Sequence, residues 1–101
     1  MGEFVKVVKK SEIPPDTGKY IEVRGREIAL FKVQDKIYAL DHICPHAGGP
    51  LAEGGLNKRI ITCPWHGWDF DVTTGQCSFN PAVKIVTYKV REEGEDISVE
   101  V

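Results

Sequence analysis

No stretch of this chain stays apolar for the about 20 residues that a helix needs to cross a bilayer, which excludes a membrane-spanning helix. The opening Met1-Gly2-Glu3-Phe4-Val5-Lys6 lacks a basic segment running into an apolar one, so no secretory signal is expected. Lys6 stands where a myristoylation motif needs Ser or Thr. An excess of positive charge is also missing: the net charge is −2 and the pI is near 5.9, without the electrostatic footprint of a nucleic-acid binder. Three cysteines cannot all pair, and no export signal is evident, so a disulfide framework is not expected. Helical periodicity, internal repeats and low-complexity runs are absent, and no G-x-G-x-x-G or G-K-[ST] pattern offers a phosphate cradle. A soluble, cytoplasmic protein without membrane or nucleic-acid partners is the expectation.

What the chain has is the makeup of an ordinary globular domain: 101 residues, 42% hydrophobic and 28% charged, read as one domain over 1–101. Short β-branched or alternating runs predict strands at Phe4 to Val8, Tyr20 to Arg24, Glu27 to Val33 and Ile37 to Leu40. Gly25 joins the second and third as a hairpin, and Gln34-Asp35-Lys36 turns the next one. Pro14-Pro15 excludes a central strand or long helix there. Strand texture resumes over Val83 to Val90 and Ile97 to Val101, around an acidic turn from Glu92 to Asp96 read as a solvated tip. Between these runs, from Asp41 to Gln76, the texture changes. This loop-rich insert holds all three histidines, both tryptophans and two of the three cysteines, with strand-like pieces at Ile60 to Thr62 and Trp68 to Phe70.

Two motifs in the insert carry chemistry: Cys44-Pro45-His46 and, further on, Cys63-Pro64-Trp65-His66, each followed by glycine (Gly48-Gly49 and Gly67). Each offers one soft thiolate and one imidazole, a donor set that permits a tetrahedral zinc or an iron–sulfur cluster. Zinc fingers usually pair Cys with Cys and His with His, whereas here each half mixes the two.

The stretch from Cys44 to His66 resembles the Rieske motif, C-x-H followed after an interval by C-x-x-H. The likeness extends through Gly48-Gly49-Pro50-Leu51, Glu53-Gly54, Gly67-Trp68-Asp69-Phe70-Asp71, Thr74-Gly75 and Asn80-Pro81-Ala82. It implies an all-β Rieske fold, with an antiparallel β-sandwich base and a small cluster-binding subdomain at about 41–76. It also implies one [2Fe–2S] cluster per chain, with Cys44 and Cys63 on one iron and His46 and His66 on the other. Rieske proteins of the cytochrome bc complexes add a disulfide over the cluster and a serine bonded to a cluster sulfur. Here Gly49, Trp65 and Trp68 occupy those positions, so the potential is expected toward the lower end of the roughly −150 to +300 mV Rieske range.

A small Rieske ferredoxin is about this long, and the resemblance implies an electron carrier between a flavin-dependent reductase and a terminal oxygenase. The small Rieske subunit of an assimilatory nitrite reductase is similar too. A structural zinc module is the alternative from another class. An oxygenase catalytic subunit is excluded, since the histidines left over cannot build a mononuclear iron site. A hydrolase would need a general base, for which only Asp41, Asp69 and Asp71 lie near the loops. His42 reads as a solvated loop histidine or a local hydrogen-bond partner, and Cys77 as inert packing. Trp68 and Phe70 read as shielding, and Trp65 as partly exposed.

Overall fold

The computed structural model describes residues 2–44, 48–65, 67–78, 80 and 82–101. Their strands are β1 (Phe4–Lys9), β2 (Lys19–Val23), β3 (Arg26–Val33), β4 (Lys36–Asp41) and β5 (Gly55–Asn57), then β6 (Ile60–Thr62), β7 (Asp69–Asp71), β8 (Thr87–Tyr88), β9 (Val90–Glu93) and β10 (Asp96–Glu100). All pairings are antiparallel and build three sheets, ordered β1-β10-β9, β2-β3-β4-β8 and β5-β6-β7. The all-β class expected from the sequence is therefore the one observed.

Two hairpins set the register of the central sheet. Val23 pairs with Arg26 across Arg24 and Gly25, both at positive φ, and Val33 pairs with Lys36 across Gln34 and Asp35, again both positive. Two consecutive left-handed residues define the type I′ turn, whose twist matches that of the flanking strands.

Strand β3 explains the layering. Ile28, Ala29, Leu30 and Phe31 are all fully buried, so both faces of this strand are covered. Ile28 and Leu30 pack with Ile13, Ile21, Ile37, Ala39, Ile97 and Val99, toward the sheet of β1, β10 and β9. Ala29 and Phe31 point the other way, into a second core with Leu51, Ile61, Phe70 and Val72. A run that is apolar at every position is what a strand between two layers requires. Phe31 and Phe70 each contribute about 2 kcal/mol by burial. The β5-β6-β7 sheet is thus seated on the scaffold through an apolar interface.

The continuous strand expected over Val83 to Val90 is the main correction. Only Thr87–Tyr88 and the first residue of β9 are strand there. The reason is a change of partner: the Val83 carbonyl accepts from Cys77 N–H (2.9 Å), the Ile85 N–H donates to Gly75 O (2.7 Å), and only then does the chain reach β4. One segment serves two sheets and belongs fully to neither. The strand β5 and the 3₁₀ turns Lys10–Glu12 and Leu51–Glu53 were not among the expected elements.

Tyr88 fastens β8 to the scaffold: its hydroxyl donates to Asp41 Oδ1 at 2.5 Å. Burial, and then this bond, push the phenol above its usual value near 10. Tyr88→Phe is expected to lower stability by about 1 kcal/mol, the low end for a bond to a charged group because the site is half-exposed. A raised phenol pKa favours the neutral folded form. The difference from the parent is therefore full below about pH 10 and shrinks above it, which denaturant midpoints across that range would read.

Candidate cluster site

Cys44 and Cys63 occupy the same position in two copies of one backbone device. Each follows a strand end, and each N–H donates across a tight loop to the carbonyl five residues on: Cys44 N–H to Gly49 O (2.9 Å) and Cys63 N–H to Trp68 O (2.8 Å). Each is followed by proline, and each loop turns at a left-handed glycine four residues on, Gly48 (φ 72°) and Gly67 (φ 70°). Positive φ is costly for a residue with a Cβ, so glycine at that place lets both loops close. The first loop is pinned further by the Ile43–Pro50 bridge, by Gly48 N–H to Cys44 O (2.8 Å) and by Leu51 N–H to His42 O (2.8 Å).

The two loops touch. A methyl group built on Gly49 would lie 2.9 Å from Cys63 Sγ and 2.9 Å from Trp65 Cγ, so the first loop approaches the second as closely as only glycine permits. Gly49 and Trp65 are the pair that stand where the cytochrome bc proteins place their disulfide. Here a backbone-to-indole contact joins the loops instead.

Both thiols are buried, with 1% of each cysteine exposed, and both belong to the core that holds Phe31, Ile61 and Phe70. Among the described residues no disulfide forms and no group of three or more metal-ligating side chains converges. The other two expected ligands, His46 and His66, lie outside the described residues. The fit to a cluster therefore rests on the thiolate half. Two buried soft donors on facing loops, with a glycine cradle against one sulfur, suit an iron–sulfur group.

The remaining expectations divide. Trp65 is 51% exposed, whereas Trp68 is half-buried and Phe70 fully buried against the core. Cys77 is buried beside Phe70, its N–H on Val83 O, as packing. The three nearby carboxylates have structural partners: Asp41 takes the Tyr88 hydroxyl, Asp69 the Thr62 hydroxyl (2.6 Å), and Asp71 both Thr73 (2.9 and 2.6 Å) and Arg59 (3.0 Å). His42 is not solvated. It is 7% exposed, its Nδ1 accepts the Ala52 N–H at 3.3 Å, and its ring lies 4.7 Å from that of Tyr20. Burial lowers the imidazole pKa, opposed by Glu27 and Glu53.

The sequence carries one further feature of the site, beyond its two motifs. Segments 42–52, 60–68 and 72–83 contain no Asp, Glu, Lys or Arg, in a chain that is 28% charged. They include both Cys loops, and Ile43 and Trp65 there are among the exposed large hydrophobics. By contrast, a cleft of about 1300 Å³ opens between the β3–β4 and β5–β6 turns, lined by Lys32, Lys36, Lys58 and Arg59, and includes neither Cys loop. Among the described residues no helix is long and apolar enough to cross a membrane.

Comparison with known proteins agrees with this geometry. The Rieske [2Fe–2S] domain model matches residues 3–89. The ferredoxin component of a naphthalene 1,2-dioxygenase system from Pseudomonas aeruginosa is 35% identical over 99 residues, covering 97% of this chain and 95% of the relative. The ferredoxin of carbazole 1,9a-dioxygenase from Nocardioides aromaticivorans IC177 superimposes with a TM-score of 0.87 at 28% identity, covering 95% of each chain. A nitrite reductase small subunit from Mycobacterium tuberculosis shares the fold with a TM-score of 0.90 at 20% identity, covering 100% of this chain and 96% of that one.

Proposed function

The chain belongs to the Rieske [2Fe–2S] family, and from that premise we propose that Cys44, His46, Cys63 and His66 hold its cluster and that it carries electrons from a flavin-dependent reductase to a terminal oxygenase. The protein is an electron-transfer component, not itself a catalyst, as its ferredoxin relatives are. When bound, the cluster supplies a one-electron couple, with neutral imidazoles raising the potential above the about −400 mV of an all-cysteine centre.

The observation that carries the ligand assignment is the duplicated loop, which presents Cys44 and Cys63 in matching backbone settings and brings Gly49 against Cys63 Sγ. His46 and His66 follow their cysteines within the same two loops. The chain's own residues do the rest: the loops deliver two thiolates, while Trp68 and Phe70 limit water on the core side. We read 1–101 as a single Rieske domain with its cluster-binding part at about 41–76, a reading supported by the match over residues 3–89. A cytoplasmic location is part of the proposal, in keeping with the flavin-dependent reductase proposed as donor.

The charge-free sequence of both Cys loops, with Trp65 and Ile43 exposed, suits docking onto a partner whose face is apolar around its own redox centre. A solved complex joins the oxygenase and ferredoxin of carbazole 1,9a-dioxygenase, and the matched chain is 31% identical with a TM-score of 0.85, covering 95% of this chain and 91% of that one. That supports an oxygenase as the acceptor. The nitrite reductase neighbour, at 20% identity, speaks to the fold alone.

Visible absorption, EPR and voltammetry of the purified protein test the proposal. The expected result is a red-brown oxidised form, a dithionite-reduced signal whose average g lies below that of all-cysteine clusters, and a midpoint toward the lower end of the range, near about −150 mV. A colourless, EPR-silent protein with one zinc per chain would overturn it.

A further inference from the structure

We infer that His42 is a positioning residue for the cluster: its imidazole Nδ1 locks the closing turn of the first loop and so fixes how Gly49 meets Cys63. The inference rests on the reading of Cys44 and Cys63 as ligands. His42 holds the loop at three points. Its N–H donates to Glu27 O in β3 (3.0 Å), its carbonyl accepts from Leu51 N–H (2.8 Å), and its Nδ1 accepts from Ala52 N–H (3.3 Å). Scaffold, loop entry and loop exit therefore meet at one residue.

The side-chain bond adds what the backbone bonds leave open. Ala52 lies in the 3₁₀ turn Leu51–Glu53, whose cap Pro50 carries no capping side chain. On the other side of the same residue, the Ala52 carbonyl accepts from Gly18 N–H (2.9 Å) and faces the Thr17 hydroxyl (2.9 Å), which also reaches Gly54 O (2.6 Å). The residue after the loop is thus clamped between the imidazole and the segment that precedes β2. Accepting at Nδ1 requires that nitrogen to be unprotonated, so a neutral ring carries its proton on Nε2. Tyr20 covers the ring, and only 7% of His42 is exposed, which leaves little room for water to replace the bond. Outer partners of this kind set the orientation of the groups that bind a metal, and losing one typically costs 10- to 100-fold in metal affinity.

Three variants of the cluster-loaded protein test this. His42→Asn places an amide oxygen where Nδ1 stands and keeps the acceptor; His42→Phe keeps a ring against Tyr20 but has no acceptor; His42→Leu removes both the acceptor and the ring while staying apolar. The readouts are the midpoint potential, the EPR line shape and the half-time of cluster loss to a chelator. For Phe and Leu we expect a shifted midpoint, a broadened EPR signal and at least tenfold faster loss. Asn should stay within twofold of the parent in loss rate, with the parent's potential and spectrum. Failure of Phe and Leu to load at all, with Asn loading normally, is the extreme form of the expected result. Parent-like values for Phe or Leu would overturn the inference, as would an Asn variant that behaves like them. A parent protein without a [2Fe–2S] signal would instead refute the ligand assignment, so the two failures are distinguishable.

Discussion

Cys44→Ala and Cys63→Ala are each expected to abolish visible colour, bound iron and the reduced EPR signal, while Cys77→Ala keeps all three near the parent's level. Burial does not separate the three cysteines: they are 1%, 1% and 2% exposed and share one core. What separates them is backbone setting. Cys44 and Cys63 each begin a loop that turns at a left-handed glycine and returns a carbonyl to the cysteine N–H. Cys77 instead bridges to Phe70 in the manner of a further strand beside β7, and its N–H is taken by Val83 O. Replacing a ligand thiolate removes an anionic donor that no neighbour supplies, whereas replacing Cys77 removes one sulfur from a packed interior, at a cost of about 1 kcal/mol. Iron content per chain, with thermal unfolding as a control for folding, decides it. A colourless Cys77→Ala protein that still folds, or a Cys63→Ala protein that still loads a full cluster, would sink the assignment.

Much of the fold is legible in the sequence because the signals are local. The alternation and β-branching of β1 to β4 and β10 place those strands to within about a residue or two, as boundaries usually fall. Gly25 and Gln34-Asp35 mark their turns because left-handed backbone is chemically selective. The proposed ligand motif stands out in the sequence for a related reason: two Cys–Pro pairs, each with glycine after it, repeat one local pattern. What escaped depends on distant partners. β5 has Leu56 as its only buried residue and exists because β6 is beside it. The break in Val83 to Val90 comes from sharing a segment between two sheets. For His42 the sequence left two readings, solvated or a local hydrogen-bond partner, and it is the second that holds, because its cover, Tyr20, lies on a scaffold strand and its donor, Ala52, ten residues on. The charge-free segments are readable in the sequence, but the approach of one to another, Gly49 to Cys63 and Trp65, is not.

The largest stability effect is expected at Gly54, in a glycine pair where the neighbouring position serves as the control. Gly54 has an ordinary φ of −75°, so its requirement for glycine is one of space alone. A methyl group there would fall well inside van der Waals contact with the Thr62 carbonyl oxygen, and would also meet Leu51 O at 3.2 Å. Thr62 ends β6, and the next residue is Cys63. Relief of the clash would push the end of β6 away from the 3₁₀ turn that closes the first loop, and so move one Cys loop relative to the other. Backbone cannot swing aside as a flexible side-chain tip can, so the cost should sit at the upper end for overpacking, about 3 kcal/mol. For a chain of this size that corresponds to roughly 15 °C in Tm. Gly55, one residue on, is exposed and has open space where its Cβ would lie. Gly55→Ala should therefore unfold within about 2 °C of the parent, consistent with a surface change away from any special contact. Because the clash acts on the strand that delivers Cys63, Gly54→Ala should also lose its cluster faster than the parent at temperatures where both are still folded. Equal melting temperatures for the two alanine variants would mean that the approach of Gly54 to Thr62 does not hold the second loop in place.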